Sequence, residues 1–81
     1  MKQVRYDRAA LRALHRHRNM RKRIDEKLAA YAADPASLAN VVKRLTTGDL
    51  RLRIGDFRVI FRETQSHIDV LELGPRGDIY E

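Results

Sequence analysis

The chain has 81 residues, enough for one domain around a single core and too few to enclose a catalytic cavity, so any active site lies on its surface. Its 17 Lys and Arg outnumber 11 Asp and Glu to give a formal +6, and the excess is concentrated: residues 1–23 hold nine basic residues and one acid, Asp7, whereas residues 24–81 hold eight against ten. A cationic N-terminal third suits nucleic acid or an acidic protein as partner. The lack of cysteine excludes a disulfide framework and a thiolate metal site, and no apolar run is long enough for a membrane span or a signal peptide, so a cytoplasmic protein is expected.

The opening "KQVRY" reads as a short strand, ended by Asp7, a good N-cap for a helix over "RAALRALHRH". Leu11 and Leu14, with Ala10, give that helix one apolar stripe. After Asn19, a second candidate cap, Met20, Ile24, Leu28 and Tyr31 recur at helical spacing through "MRKRIDEKLAAYAA", an amphipathic helix whose apolar stripe is core. Asp34 and Pro35 close it, because the residue before proline is biased away from helical geometry. A short irregular segment or helical turn follows. Leu38, Val41, Val42 and Leu45 then lead towards a sheet, with Thr46 to Asp49 as turn chemistry.

The stretch "LRLRIGDFRVIFR", Leu50 to Arg62, alternates arginine with apolar residues on both sides of Gly55 and Asp56. A two-residue loop with Gly first predicts a hairpin with a type II′ turn and fixes the register: Ile54 opposite Phe57, Arg53 opposite Arg58, Leu52 opposite Val59, Arg51 opposite Ile60, Leu50 opposite Phe61. Side chains alternate between strand faces, so Leu50, Leu52, Ile54, Phe57, Val59 and Phe61 share the core face. Arg51, Arg53, Arg58, Ile60 and Arg62 share the other. Opposed like charges destabilise by a few tenths of a kcal/mol to about 1 kcal/mol, so either an anion compensates Arg53 and Arg58 or the face is simply solvated. "ETQSH" makes the next loop, and "IDVLELG" is a strand with apolar residues on both faces, as for a central strand. Gly74 and Pro75 end it before the tail "RGDIYE".

The order is strand, helix, helix, then three strands (β-α-α-β-β-β) in one domain over residues 1–81. It predicts an α+β fold: an N-terminal strand and helical hairpin, with both helices packed on one face of a small twisted antiparallel sheet. The arginine face is left exposed, and chemistry belongs there.

"VKRLTTGDLRLRIGDFRVIFR", an apolar strand, and then "LGPRGDIY" in this order and spacing resemble the RelE/ParE superfamily of toxins of type II toxin-antitoxin modules. The resemblance covers nearly the whole chain and, through the residues at five positions, favours the RelE branch of ribosome-dependent mRNA endonucleases over the ParE branch of gyrase inhibitors. It implies catalytic roles for Arg51 and Arg53 on the first hairpin strand, Arg58 after the turn, Arg76 past the last strand, and Tyr80. It also implies a cognate acidic antitoxin that neutralises the toxin by wrapping it in a hetero-oligomeric complex, and mRNA on the ribosome as substrate, with no cofactor. Arg16, Arg18, Arg21, Lys22 and Arg23, with Lys43 and Arg44, then either dock on ribosomal RNA or form a solvated face. A noncatalytic RNA-binding homologue is the third reading.

RNA carries its own nucleophile, the 2′-hydroxyl, so an RNase needs to orient it, stabilise negative charge and manage two protons, without a metal. Arginine forks suit the phosphate oxygens, and Tyr80 could stack on a base or orient the 2′-hydroxyl. Arginine is essentially never deprotonated in proteins, so it is a poor general base. The base is left open between a perturbed tyrosine, a residue outside this set, and the ribosome with water. His15 and His17, at i and i+2, do not share a helix face and make no metal site. His67 reads as a turn residue.

Overall fold

The computed structural model describes residues 1–77. Strand β1 (Gln3–Tyr6) leads into helix α1 (Arg8–Arg16), a 3₁₀ turn (Arg18–Met20), helix α2 (Arg21–Ala33) and a second 3₁₀ turn (Pro35–Leu38). Strands β2 (Val42–Arg44), β3 (Leu50–Ile54), β4 (Phe57–Glu63) and β5 (His67–Pro75) follow. They form one sheet in the order β1-β5-β4-β3-β2.

The α+β class with a helical hairpin on one sheet face is as the sequence predicts, with two additions. Strand β1 pairs with β5 in parallel, so the sheet is mixed, the remaining neighbours being antiparallel. The lead-in to the hairpin also forms the short edge strand β2, in which Val42 sits opposite Leu52 and packs against the core. Two cations, Lys43 and Arg44, occupy the rest of this edge, a composition that discourages pairing with another chain.

Ala10, Ala13 and Leu14 of α1 and Ile24, Leu28 and Tyr31 of α2 meet the apolar faces of β3, β4 and β5 in one core. Leu11 departs from the expected stripe and is 51% exposed. The two alanines bring α1 close to the sheet, and Leu11 lies roughly 60° beyond Leu14 on the helical wheel, past the contact. Asn19 is not a cap either: it lies inside the 3₁₀ turn, and Met20 holds the N-cap position of α2. The Met20 N–H donates to the His17 carbonyl at 2.9 Å and the Arg21 N–H to the Arg18 carbonyl, so one helical element runs into the next and an amide that a capping Asn19 would serve is already bonded.

Phe61, fully buried, meets the Tyr31 ring edge-on at 5.1 Å. The Tyr31 hydroxyl donates to Glu63 Oε1 at 2.8 Å, and Lys2 Nζ pairs with Glu63 Oε2 at 2.7 Å, tying α2, β4 and the N-terminus together. Burial opposes ionisation of Glu63, but the hydrogen bonds from Lys2 and Tyr31 outweigh it and hold the carboxyl below its ordinary value of 4.5. Burial first, then the bond to Glu63, pushes the Tyr31 hydroxyl up to about 12.

A carboxyl whose folded value is depressed stabilises the fold above its unfolded value and loses that contribution as pH falls through the folded one. The free energy of unfolding is therefore expected to decline as pH is lowered past 4.5, and Glu63→Gln should flatten that decline. Urea titrations of both proteins between neutral pH and pH ~3 check this. Equal slopes would remove Glu63 from the account.

Candidate functional site

The hairpin has the expected register at all five pairs, from Leu50 opposite Phe61 to Ile54 opposite Phe57. Gly55 has φ +59°, and no non-glycine residue among those described has positive φ, so Asp56 does not share that conformation. Positive φ at the first loop position alone is the signature of a type II′ turn. All six predicted core-face residues of the hairpin are buried.

The opposite face is open, and three rungs cross it. In the first, Arg53 faces Arg58, which faces Gly74. The second runs Lys43, Arg51, Ile60, Glu72 across four strands. Ile60 is buried there although it lies outside the helix-side core, and its rung neighbours are Arg51 and Glu72. In the third rung Arg62 faces Asp69, which faces Arg5. Arg62 Nε donates to Asp49 Oδ1 at 2.9 Å, and Arg5 donates twice to Asp69, at 2.7 and 3.1 Å. Those bonds hold Asp69 below the usual carboxylate range. Signs alternate along that rung, so it neutralises itself. The remaining arginines of the face lie towards the hairpin turn.

The turn gathers further cations. The Arg76 N–H donates to the Asp56 carbonyl at 2.6 Å, which fixes the start of the C-terminal segment beside the rung of Arg53 and Arg58. From the helix side, an Arg23 guanidinium nitrogen lies 3.7 Å from where a side chain at Gly55 would begin. Arg51, Arg53, Arg58 and Arg76 thus share one end of the molecule, and Tyr80 lies outside the described residues. The basic residues assigned to RNA docking are divided. Lys43 joins the open face, Arg44 lies on the other and bonds the Gly48 carbonyl, and Arg21 pairs with Asp25 at 3.5 Å. Arg18 and Lys22 are exposed, and Arg16 lines a groove between α1 and β5.

That groove exists because β1 pairs with β5 only through Val70. Beyond it, α1 runs alongside β5 and leaves a cleft of about 350 Å³ between Arg12, Arg16 and His17 on one wall and Leu71, Glu72 and Gly74 on the other. The His17 ring meets Phe57 edge-on at 5.0 Å. His67 begins β5 at its far end, with Nδ1 2.7 Å from the Ser66 hydroxyl.

Glu72 is the residue of this face that sequence reading passes over. Strict alternation along "IDVLELG" places Glu72 with Ile68 and Val70, facing the core. The pairing instead jumps from Ile60–Glu72 to Phe61–Val70, a β-bulge that leaves Leu71 without an opposite residue. The bulge turns Leu73 into the core beside Ile68 and Val70 and brings Glu72 out, exposed, onto the arginine face. The apolar residues expected on two faces of this strand thus lie largely on one.

A mixed sheet covered by a helical hairpin, with a basic open face, is the architecture of the RelE/ParE superfamily of toxins. The family model described as the ParE toxin of the type II toxin-antitoxin system, parDE, matches residues 4–80, and the chain belongs to that family. Its fold is similar to that in the toxin-antitoxin complex RelBE2 from Mycobacterium tuberculosis, with a TM-score of 0.72 and 22% identity, covering 93% of this chain and 98% of that one. No curated protein matches the chain.

Gly55→Ala places a side chain at a positive φ and is expected to lower stability by roughly 1 kcal/mol, read as a lower denaturant midpoint at unchanged m value. The nearest atom, on Arg23, is far enough away that strain rather than a clash causes the loss.

Proposed function

We propose that this toxin is a ribosome-dependent mRNA endonuclease that inhibits translation in the cytoplasm, as the RelE branch does. The observation that carries this reading is the opposed pair Arg53 and Arg58, with Arg51 one rung away and Arg76 fastened to the same turn. Two forks facing each other across a hairpin can hold a phosphodiester from both sides. Arg53 or Arg58 then stabilises charge on the phosphorane-like transition state, and Arg76 lies near the leaving oxygen. The attacking oxygen is the RNA 2′-hydroxyl, which accounts for cleavage without a metal.

The match to the ParE family supports a second reading, a gyrase inhibitor in which the same face is a binding surface without chemistry. Both readings include a cognate antitoxin. For a +6 chain we propose an acidic partner that wraps the toxin and covers the arginines in a hetero-oligomeric complex.

The purified toxin is expected to cut mRNA in the decoding site of translating ribosomes and to leave gyrase supercoiling unaffected. Arg58→Ala and Arg76→Ala should each abolish the cuts while retaining native circular dichroism. Inhibited gyrase with intact mRNA would favour the second reading, and normal cleavage by both variants would overturn the site assignment.

Docking on ribosomal RNA by Arg21, Lys22 and Arg23 makes ribosome affinity salt-dependent through them. Replacing the three by Gln is expected to reduce the slope of log affinity against log salt, by up to ~0.9 for each duplex phosphate no longer neutralised and ~0.7 for each single-strand phosphate. An unchanged slope assigns the cluster to solvent.

A further inference from the structure

We propose that Glu72 is the proton acceptor of the cleavage reaction, taking the proton of the attacking 2′-hydroxyl. This rests on the nuclease reading above and names the base that the arginines cannot provide. In the step, the 2′-oxygen forms a bond to phosphorus as its proton passes to the Glu72 carboxylate. The bond from phosphorus to the 5′-oxygen breaks, and that oxygen takes a proton from water. The products are a 2′,3′-cyclic phosphate and a 5′-hydroxyl.

Position is the first argument. Glu72 stands directly opposite Ile60, and Arg58 stands opposite Gly74, so Glu72 and Arg58 are diagonal neighbours on one face of an antiparallel pair. Such neighbours are about 7–8 Å apart at the backbone. In a productive geometry the 2′-oxygen lies about 3–3.5 Å from phosphorus, so a phosphate held by Arg58 presents that oxygen within the span of a glutamate side chain. The β-bulge at Leu71 is what brings Glu72 to this face, and bulges of this kind re-aim side chains beside active sites.

Elimination is the second. Among the described residues, Asp49 and Asp69 are engaged by Arg62 and Arg5, Asp7 lies at that same far end in a cleft with Arg5, Arg62 and Asp69, and Asp56 belongs to the turn and to no rung of the face, whereas no ion pair engages Glu72. The Tyr6 and Tyr31 hydroxyls donate to Asp25 and Glu63, and burial followed by those bonds pushes both groups up, away from use as a base. His17 shares the groove, but its ring is packed on Phe57, whose side chain faces the core. The groups that face Glu72 are Arg51 of β3 and Arg58 of β4 across the open sheet, and Arg12, Arg16 and His17 across the groove. This surround is mostly arginine and suits the phosphates that flank the scissile one. It also leaves the groove as a path for the strand that continues from the scissile phosphate.

The test is single-turnover cleavage of mRNA on translating ribosomes by the full chain, as wild type, Glu72→Gln and Glu72→Asp, over a range of pH. Glu72→Gln is expected to slow cleavage by roughly a hundred- to ten-thousand-fold at unchanged ribosome affinity, and to lose the acid limb of the rate profile. Glu72→Asp should keep that limb at an intermediate rate. Glu72→Gln cleaving at the wild-type rate, or losing activity only through weaker ribosome binding with the acid limb intact, would overturn the assignment. If wild type cleaves, Arg58→Ala does not and Glu72→Gln does, this inference alone falls. If wild type leaves mRNA intact, the nuclease reading falls with it.

Discussion

The two-residue turn at Gly55 and Asp56 decides which side chains of the central hairpin face the helices, and most of the molecule depends on that parity. With this register, six apolar side chains enter the core and the arginines stay in solvent. A slip of one residue would exchange the faces and put guanidinium groups against Ile24, Leu28 and Tyr31. The magnitudes explain why Arg53 and Arg58 can be held in opposition. Burying six such side chains contributes on the order of 10 kcal/mol, at about 1.5–3 kcal/mol each. Placing the two arginines across from each other costs about 1 kcal/mol or less. Core burial determines the register, and the crowding of charge follows from it.

A second parity device lies in β5. Without the bulge at Leu71, the strand would carry Ile68, Val70 and Glu72 on one face, and a carboxylate would enter the core beside Val59 and Phe61. The bulge resolves this conflict by skipping Leu71, so Ile68, Val70 and Leu73 all reach the core. The same skip delivers an acid to a face otherwise lined with cations near the turn. Packing and surface chemistry are therefore linked through one irregular residue.

The hairpin was legible in the sequence because its determinants are local: the loop length, the glycine and the alternation lie within Leu50 to Arg62. The amphipathic second helix was legible for the same reason, with Ile24, Leu28 and Tyr31 buried as their spacing implies. Features set by contacts distant in sequence were not. The parallel pairing of β1 with β5 joins residues 64 positions apart, and β2 is too short to register as a strand until Val42 finds Leu52. Leu11 looked like core because its class is apolar, whereas the close approach of Ala10 and Ala13 decides what α1 buries. Of the candidate site, the arginine face could be read from alternation, whereas the bulge that exposes Glu72 shows in the sequence only as a phase slip, Val70 beside Leu71, which fits equally a strand covered on both faces. By sequence Arg23 belongs to a basic helical cluster, and only the packing of α2 brings its guanidinium to the hairpin turn.

The open face is graded in charge, and the gradient bears on what it can do. At one end Asp49, Arg62, Asp69 and Arg5 alternate in sign and engage one another, so that rung has little attraction left for a polyanion. At the turn, Arg53 and Arg58 stand opposed and Arg76 begins the segment that follows. On the proposed reading an anion binds at the turn rather than along the sheet, and Asp49 and Asp69 sharpen that choice by neutralising the alternative. Binding alone would be served by such a gradient whether the partner is a nucleic acid or an acidic protein. Cleavage needs one thing more, a group that can take a proton within reach of the bound phosphate. On the proposed reading, the distinction between a toxin that grips and one that cuts comes down to a carboxylate beside the arginines, the one that the bulge carries to this face.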